Sequence, residues 1–149
     1  AVLLAAPPIP QDVPLKMRAA KGIRLDLARG VGVAEGEVVV ERADVTVCCD
    51  RAEAKYSDNQ IERVTCQGRV VILRPDGTKA TADEAVFVAA EDRLTHSGKA
   101  RVDTKQASLR APTIVYDIKK DQLFVRGGRG HFSYLQKTKA PPTRRCPPP

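Results

Sequence analysis

From about residue 36 onward, apolar and polar side chains alternate with a period of two. Val64, Cys66, Gly68, Val70 and Ile72 share one parity, and Arg63, Thr65, Gln67 and Arg69 take the other. Leu94, His96, Gly98, Ala100 and Val102 do the same against Thr95, Ser97, Lys99 and Arg101. Such alternation predicts strands with one buried and one wet face. The inward set continues through Val38, Val40, Val45, Val47, Ala54, Tyr56, Leu109, Ala111, Ile114, Tyr116, Leu123 and Val125. No helical periodicity persists over a useful length. Residues from about Asp12 to Gly22 are ambiguous and have room for one helical turn.

The strands recur in units. Gly36, Gly68, Gly98 and Gly128 are 32, 30 and 30 residues apart. The first three open similar phrases, G-E-V-V-V, G-R-V-V-I and G-K-A-R-V. A small residue follows (Cys49, Ala82, Ala111), then an aromatic (Tyr56, Phe87, Tyr116). Polar turns with acidic residues come next, at Ser57-Asp58-Asn59-Gln60, Ala90-Glu91-Asp92-Arg93 and Lys119-Lys120-Asp121-Gln122. A glycine in mid-strand predicts a bulge where the chain turns a corner. Arg74-Pro75-Asp76-Gly77 predicts a tight turn. Stacked units bury a continuous apolar interior that one unit cannot bury alone. The expectation is an all-β open roll of stacked antiparallel strands, built from about three 30-residue repeats. Both of its ends present strand edges.

The phrase from Val64 to Gly128 resembles the OstA-like family, to which LptA, LptC and the N-terminal domain of LptD belong. The matching residues are Gly68-Arg69-Val70-Val71-Ile72, Ala82-Asp83-Glu84-Ala85-Val86-Phe87 and Gly98, and again Ala111-Pro112-Thr113-Ile114-Val115-Tyr116. The pattern extends over roughly Ile23 to Gly130. Cys49, where the family usually has Ala, and an extra residue before Tyr56 depart from it. The resemblance implies a twisted β-jellyroll whose apolar interior holds the acyl chains of lipopolysaccharide. It also implies end-to-end joining with other jellyrolls of the Lpt type by β-strand addition, with self-association as a further outcome. The lipid-binding interior would then include Val38, Val40, Val47, Tyr56, Val70, Ile72, Phe87, Leu94, Val102, Leu109, Ile114, Tyr116 and Val125.

Charge and proline divide the chain. Residues 126 to 149 carry six basic side chains and no acid, while the other 125 residues carry 19 basic and 18 acidic ones. The net charge of +7 therefore describes a tail, and a nucleic-acid-binding domain, which carries its charge on the folded face, is not expected. The Arg126-Gly127-Gly128-Arg129-Gly130 run reads better as a strand end than as an RNA-binding element. Nine of the eleven prolines lie before residue 15 or after residue 140. The expected organisation is a residual signal or anchor segment and Pro-rich lead (1–14), a β-jellyroll (15–130) and a basic Pro-rich disordered tail (131–149). Ala1-Val2-Leu3-Leu4-Ala5-Ala6 suits the end of a signal peptide or of an anchor helix, and hence a periplasmic location. No run of about 18 apolar residues is present to form a membrane helix.

Catalysis, cofactors and metal are not expected. His96 has inward parity and is expected to be buried and hydrogen-bonded, and His131 to be exposed; neither has a nucleophile at a usable spacing. Asp83 and Glu84 face opposite ways. The cysteines Cys48, Cys49, Cys66 and Cys146 contain no metal-binding spacing. Cys49 has core parity near the strand of Cys66. That pair is either a disulfide of an oxidising compartment or two buried thiols. The functional expectation is a non-enzymatic, LptA-like periplasmic protein that shields lipid A acyl chains during export to the outer membrane. Two alternatives are an LptC-type component anchored in the inner membrane and a structural β-stack filament whose interior is merely core.

Overall fold

Ten strands form one antiparallel sheet in the computed structural model, which describes residues 15–42, 44–127, 129–134 and 146. They are β1 (Leu15–Arg18), β2 (Ile23–Asp26), β3 (Val31–Arg42), β4 (Val45–Ser57), β5 (Gln60–Leu73), β6 (Lys79–Val88), β7 (Arg93–Asp103), β8 (Ala107–Asp117), β9 (Gln122–Val125) and β10 (His131–Tyr134). The long strands β3 to β8 form a meander in which each pairs with its chain neighbours. β1 and β2 pair with the two halves of β3, while β10 and β9 pair with the two halves of β8. Among the described residues the two ends of the sheet do not pair with one another, so the roll is open.

The repeat glycines crease this sheet. The ladder skips at Gly36-Glu37, Gly68-Arg69 and Gly98-Lys99 on the odd strands, against Asp50, Asp83 and Pro112 on the even ones. Two residues thus oppose one, which defines a β-bulge and bends the strand. Gly68 and Gly98 have φ of 82° and 81°, where a side chain is strained. A Cβ at Gly98 would also lie 2.6 Å from the Cβ of Asp83. Pro112 occupies a slot without a ladder partner on β7, where its missing N–H costs nothing. The inward parity of the even strands shifts at the crease: Val47 and Cys49 face in before it, and Ala52 and Ala54 after it.

Folding at the crease brings the two halves together over one apolar cluster. Val38, Val70 and Ile114 are each no more than 1% exposed, beside the crease. Each such side chain contributes about 1.5–3 kcal/mol by leaving water. The strands end in short turns on both sides of the opening. Asp58 and Asn59 both have positive φ, as a two-residue primed hairpin requires. In the Arg74–Gly77 turn, Gly77 N–H donates to the Arg74 carbonyl at 3.1 Å, and Asp76 accepts from Thr78 N–H at 2.9 Å.

Three sequence expectations change. Residues 15–18 form a strand, not a helical turn, because their parity lets them pair with Val39–Arg42 of β3. The sheet also continues past 130: His131–Tyr134 is β10, which completes the half-edge of β8 that β9 leaves unpaired. Lastly, Cys49 and Cys66 are buried free thiols, and the bridge is Cys48–Cys146. The bulge at Asp50 puts Cys66 opposite Ala52, with Cys49 opposite Val38 on the other flank. The Cys49 thiol instead donates to the Arg51 carbonyl at 3.3 Å. Its hydrogen bond with Cys66 lowers the Cys49 pKa, and that bond together with burial pushes Cys66 up. Cys48 faces the outer side, where Val71, Leu73 and Cys146 pack with it. Gly128, the lead (1–14) and most of the expected tail (135–145 and 147–149) lie outside the described residues.

Candidate functional site

The crease side of the roll is solid and the side opposite is hollow. A cavity of about 100 Å³ is lined by Leu15, Val40, Val47, Val64, Cys66, Ala85 and Phe87, with Arg42, Asp44 and Asp92 at its rim. A second, of about 250 Å³, is lined by Ile72, Ala80, Val102, His96 and Leu123, with Arg74, Asp76, Thr78, Thr104, Tyr116 and Asp121. Val45, Leu94 and Ile118 line both, so the two spaces are neighbours along the stack.

Arginines from one half cross the opening to the other. Arg42 ends β3, its guanidinium 5.2 Å from the Phe87 ring centre and 3.8 Å from a buried carboxylate oxygen of Asp92. Arg74 follows β5, lies 5.1 Å from the Tyr116 ring centre, and pairs with Asp121 at 3.0 Å. Arg74 also donates to the Tyr116 hydroxyl, which donates to Asp121 at 2.7 Å. Arg42 and Arg74 each stand six residues after a bulge glycine, and each meets the aromatic and the aspartate of the following unit. The result is a pair of diagonal clasps, each an ion pair with a cation–π contact. The hydrogen bonds from Tyr116 and Arg74 hold the Asp121 carboxyl below its ordinary range. Burial, then the bond to Asp121, push the Tyr116 phenol above its own.

Among the described residues, three polar side chains here leave buried atoms without a hydrogen-bond partner: Arg74 at Nε, Asp92 at Oδ2, and His96 at both ring nitrogens. His96 is 2% exposed. The expected burial is present and the expected hydrogen bond is not. Desolvation lowers its pKa to about 4. The backbone of Ile114, opposite it on β8, pulls slightly the other way without hydrogen-bond geometry.

The interior residues read from the sequence divide by depth. Val40, Val47, Ile72, Phe87, Leu94, Val102 and Tyr116 line the cavities. Val38, Val70 and Ile114 pack solidly beside the crease. Leu109 and Val125 are partly buried against the core, and Tyr56 is half-buried with its hydroxyl 3.4 Å from the Asp26 carbonyl. Sequence reasoning missed Leu15 and Ile118 in the walls and the clasp arginines at the rim, and gave Val64 inward parity without counting it in the lipid-binding set. The common six-residue offset of Arg42 and Arg74 was the available signal. His131 is exposed on β10, as expected. Among the described residues no group of three metal-ligating side chains converges.

Large exposed apolar side chains gather at the ends of the stack. Ile23, Leu25 and Leu27 lie on or beside β2, Leu123 and Phe124 on β9, and Phe132 and Tyr134 on β10.

Comparison with known proteins places this geometry. Nothing among curated protein sequences matches the chain. A solved structure of LptH from Pseudomonas aeruginosa, described as the LptA-homologous periplasmic component of the conserved lipopolysaccharide transport device, superposes with a TM-score of 0.72. The two are 20% identical, and the match covers 85% of this chain and 97% of that one. At that identity the likeness shows the shared jellyroll fold. Residues 19–122 match the model of the LptA/(LptD N-terminal domain) lipopolysaccharide transport proteins, and the chain belongs to that family.

Proposed function

We propose that the protein is a non-enzymatic carrier of lipopolysaccharide in the periplasm, shielding lipid A acyl chains inside the roll while the sugars stay in water. The observation that carries this reading is the pair of adjoining cavities with largely apolar walls on the open side of the roll, opposite the packed crease. Each methylene moved from water into such a space gains about 0.8 kcal/mol. A filament whose interior was only core would have no use for it.

The edges support assembly. All seven large exposed apolar side chains among the described residues sit at the two ends of the stack, beside unpaired backbone. That suits end-to-end strand addition with another Lpt-type jellyroll or a second copy. The Cys48–Cys146 bridge suits an oxidising compartment, and the periplasmic LptH is similar in fold.

A photo-crosslinking amino acid at Phe87 or Val102, inside, is expected to capture lipopolysaccharide. The same probe at Thr95 or Arg101, outside, is not. Equal and poor capture at all four positions in folded protein would mean a closed core and end this reading.

A further inference from the structure

The unpartnered imidazole in the larger cavity calls for a ligand of particular chemistry. His96 is 2% exposed, and its two nitrogens have no partner. Leaving a buried polar group unsatisfied is costly, and native structures do so rarely. Arg74 Nη1, Tyr116 and Asp121 bond to one another, and Asp76 accepts from Thr78. Among the described buried groups at this cavity only Arg74 Nε, a donor, shares the lack of a partner with the two imidazole nitrogens. With burial holding its pKa near 4, His96 is neutral at pH 7 and offers one donor and one acceptor. A hydroxyl can accept from the N–H or donate to the bare nitrogen, so it suits whichever of the two it meets. A carbonyl would satisfy only the donor, and a bare hydrocarbon chain neither. The neighbouring walls, Ile72, Ala80, Leu94 and Val102, suit methylenes. At about 250 Å³ the space far exceeds the share of a single water, roughly 30 Å³.

We propose that this cavity is a subsite for an acyl chain bearing a hydroxyl group, and that His96 is the residue that recognises the hydroxyl. The inference rests on the acyl-chain reading above and adds a discrimination to it.

The test uses the full chain with lauric acid and a set of monohydroxylated lauric acids, each competing against a fluorescent fatty acid. At least one hydroxylated isomer is expected to bind about tenfold more tightly than lauric acid, the size of one hydrogen bond that relieves an unpaired group. In His96→Leu that preference is expected to vanish while lauric acid binds as well or better. Imidazole nitrogen resonances provide a second readout on the native protein. His131 is the only other histidine, so assignment needs one variant. The His96 signals should move with the preferred isomer and stay unchanged with lauric acid. This readout decides the matter if His96→Leu fails to fold. A wild-type protein that binds lauric acid with no preference, or His96 signals indifferent to the hydroxyl, would overturn the subsite alone and leave water as the occupant. Failure of every acid to bind would overturn both the subsite and the acyl-chain reading.

Discussion

Gly98→Ala tests whether the crease is set by close approach as well as by backbone conformation. Gly98 has φ of 81°, and an alanine held in that region costs about 1–2 kcal/mol. The added Cβ would lie 2.5 Å from Asp83 Oδ2, 2.6 Å from its Cβ and 2.9 Å from its Cγ. The carboxylate can swing away, but the Asp83 Cβ is fixed to β6. Relieving that contact requires a backbone shift, at about 1–3 kcal/mol by analogy with an overpacked core. Alanine also restricts the unfolded chain, which returns about 0.4–1 kcal/mol. The net expectation is a loss of about 2–4 kcal/mol, or a drop in Tm on the order of 10 °C for a chain of this size. Gly127→Ala is the control: its φ is 58°, and its added Cβ meets nothing within 4 Å. It should lose only about 1 kcal/mol. Urea unfolding of Gly98→Ala, Asp83→Gly and the double variant closes a cycle. The coupling is expected to be about 1–2 kcal/mol, with Asp83→Gly relieving part of the loss. A Gly98→Ala loss that is the same in both backgrounds, or no greater than that of Gly127→Ala, would refute the close-approach argument.

Other expectations follow from the interior and the clasps. His96 binds protons less readily folded than unfolded, so between about pH 6.5 and 4 the unfolded chain holds the extra proton and stability falls as pH falls. The gap is worth about 3 kcal/mol, and His96→Leu should flatten the stability profile across that window. Asp121 has a depressed folded pKa, so its contribution is present above the unfolded value of about 3.9 and is lost as pH falls through the folded one. Asp121→Asn should therefore weaken the protein at pH 7, with a difference from wild type that disappears in strong acid. Thiol counting in denaturant without reductant should find two free thiols, and peptide mapping should assign them to Cys49 and Cys66. Cys146→Ser removes a bridge between residues 98 apart and should lower stability by up to about 4–5 kcal/mol, measured by denaturant unfolding.

Much of this was legible in the residues. Alternation at Val64–Ile72 and Leu94–Val102 located the long strands, and the 30-residue spacing of Gly68 and Gly98 located the bulges. These are local signals, set by the two-residue period of a strand and by the backbone freedom of glycine. Equivalence of Phe87 and Tyr116 followed from the same repeat. What was not legible depends on how the halves of the sheet lie across one another. Parity marks Val38 and Val102 alike as inward; only the folded distance from the crease makes one packing and the other a cavity wall. The clasp of Arg74 with Tyr116 and Asp121 joins residues more than 40 apart in the chain. Parity separated Cys48 from Cys49 correctly, yet only the three-dimensional return of the chain brings Cys146 to the outer face.

Each ladder among β3 to β8 joins strands adjacent in the chain, so each closes over a short turn and the sheet can grow one hairpin at a time. The bridge between Cys48 and Cys146 obeys a different schedule. Before the sheet creases, Cys48, Cys49 and Cys66 are equivalent targets for Cys146. Creasing hides Cys49 and Cys66 in the interior and leaves Cys48 on the outer face, so the correct partner is selected by concealment of the wrong ones. The expected order is therefore crease first and disulfide second. Oxidation imposed on the unfolded chain should give scrambled pairings and slow maturation, whereas oxidation after refolding should yield the native bridge alone.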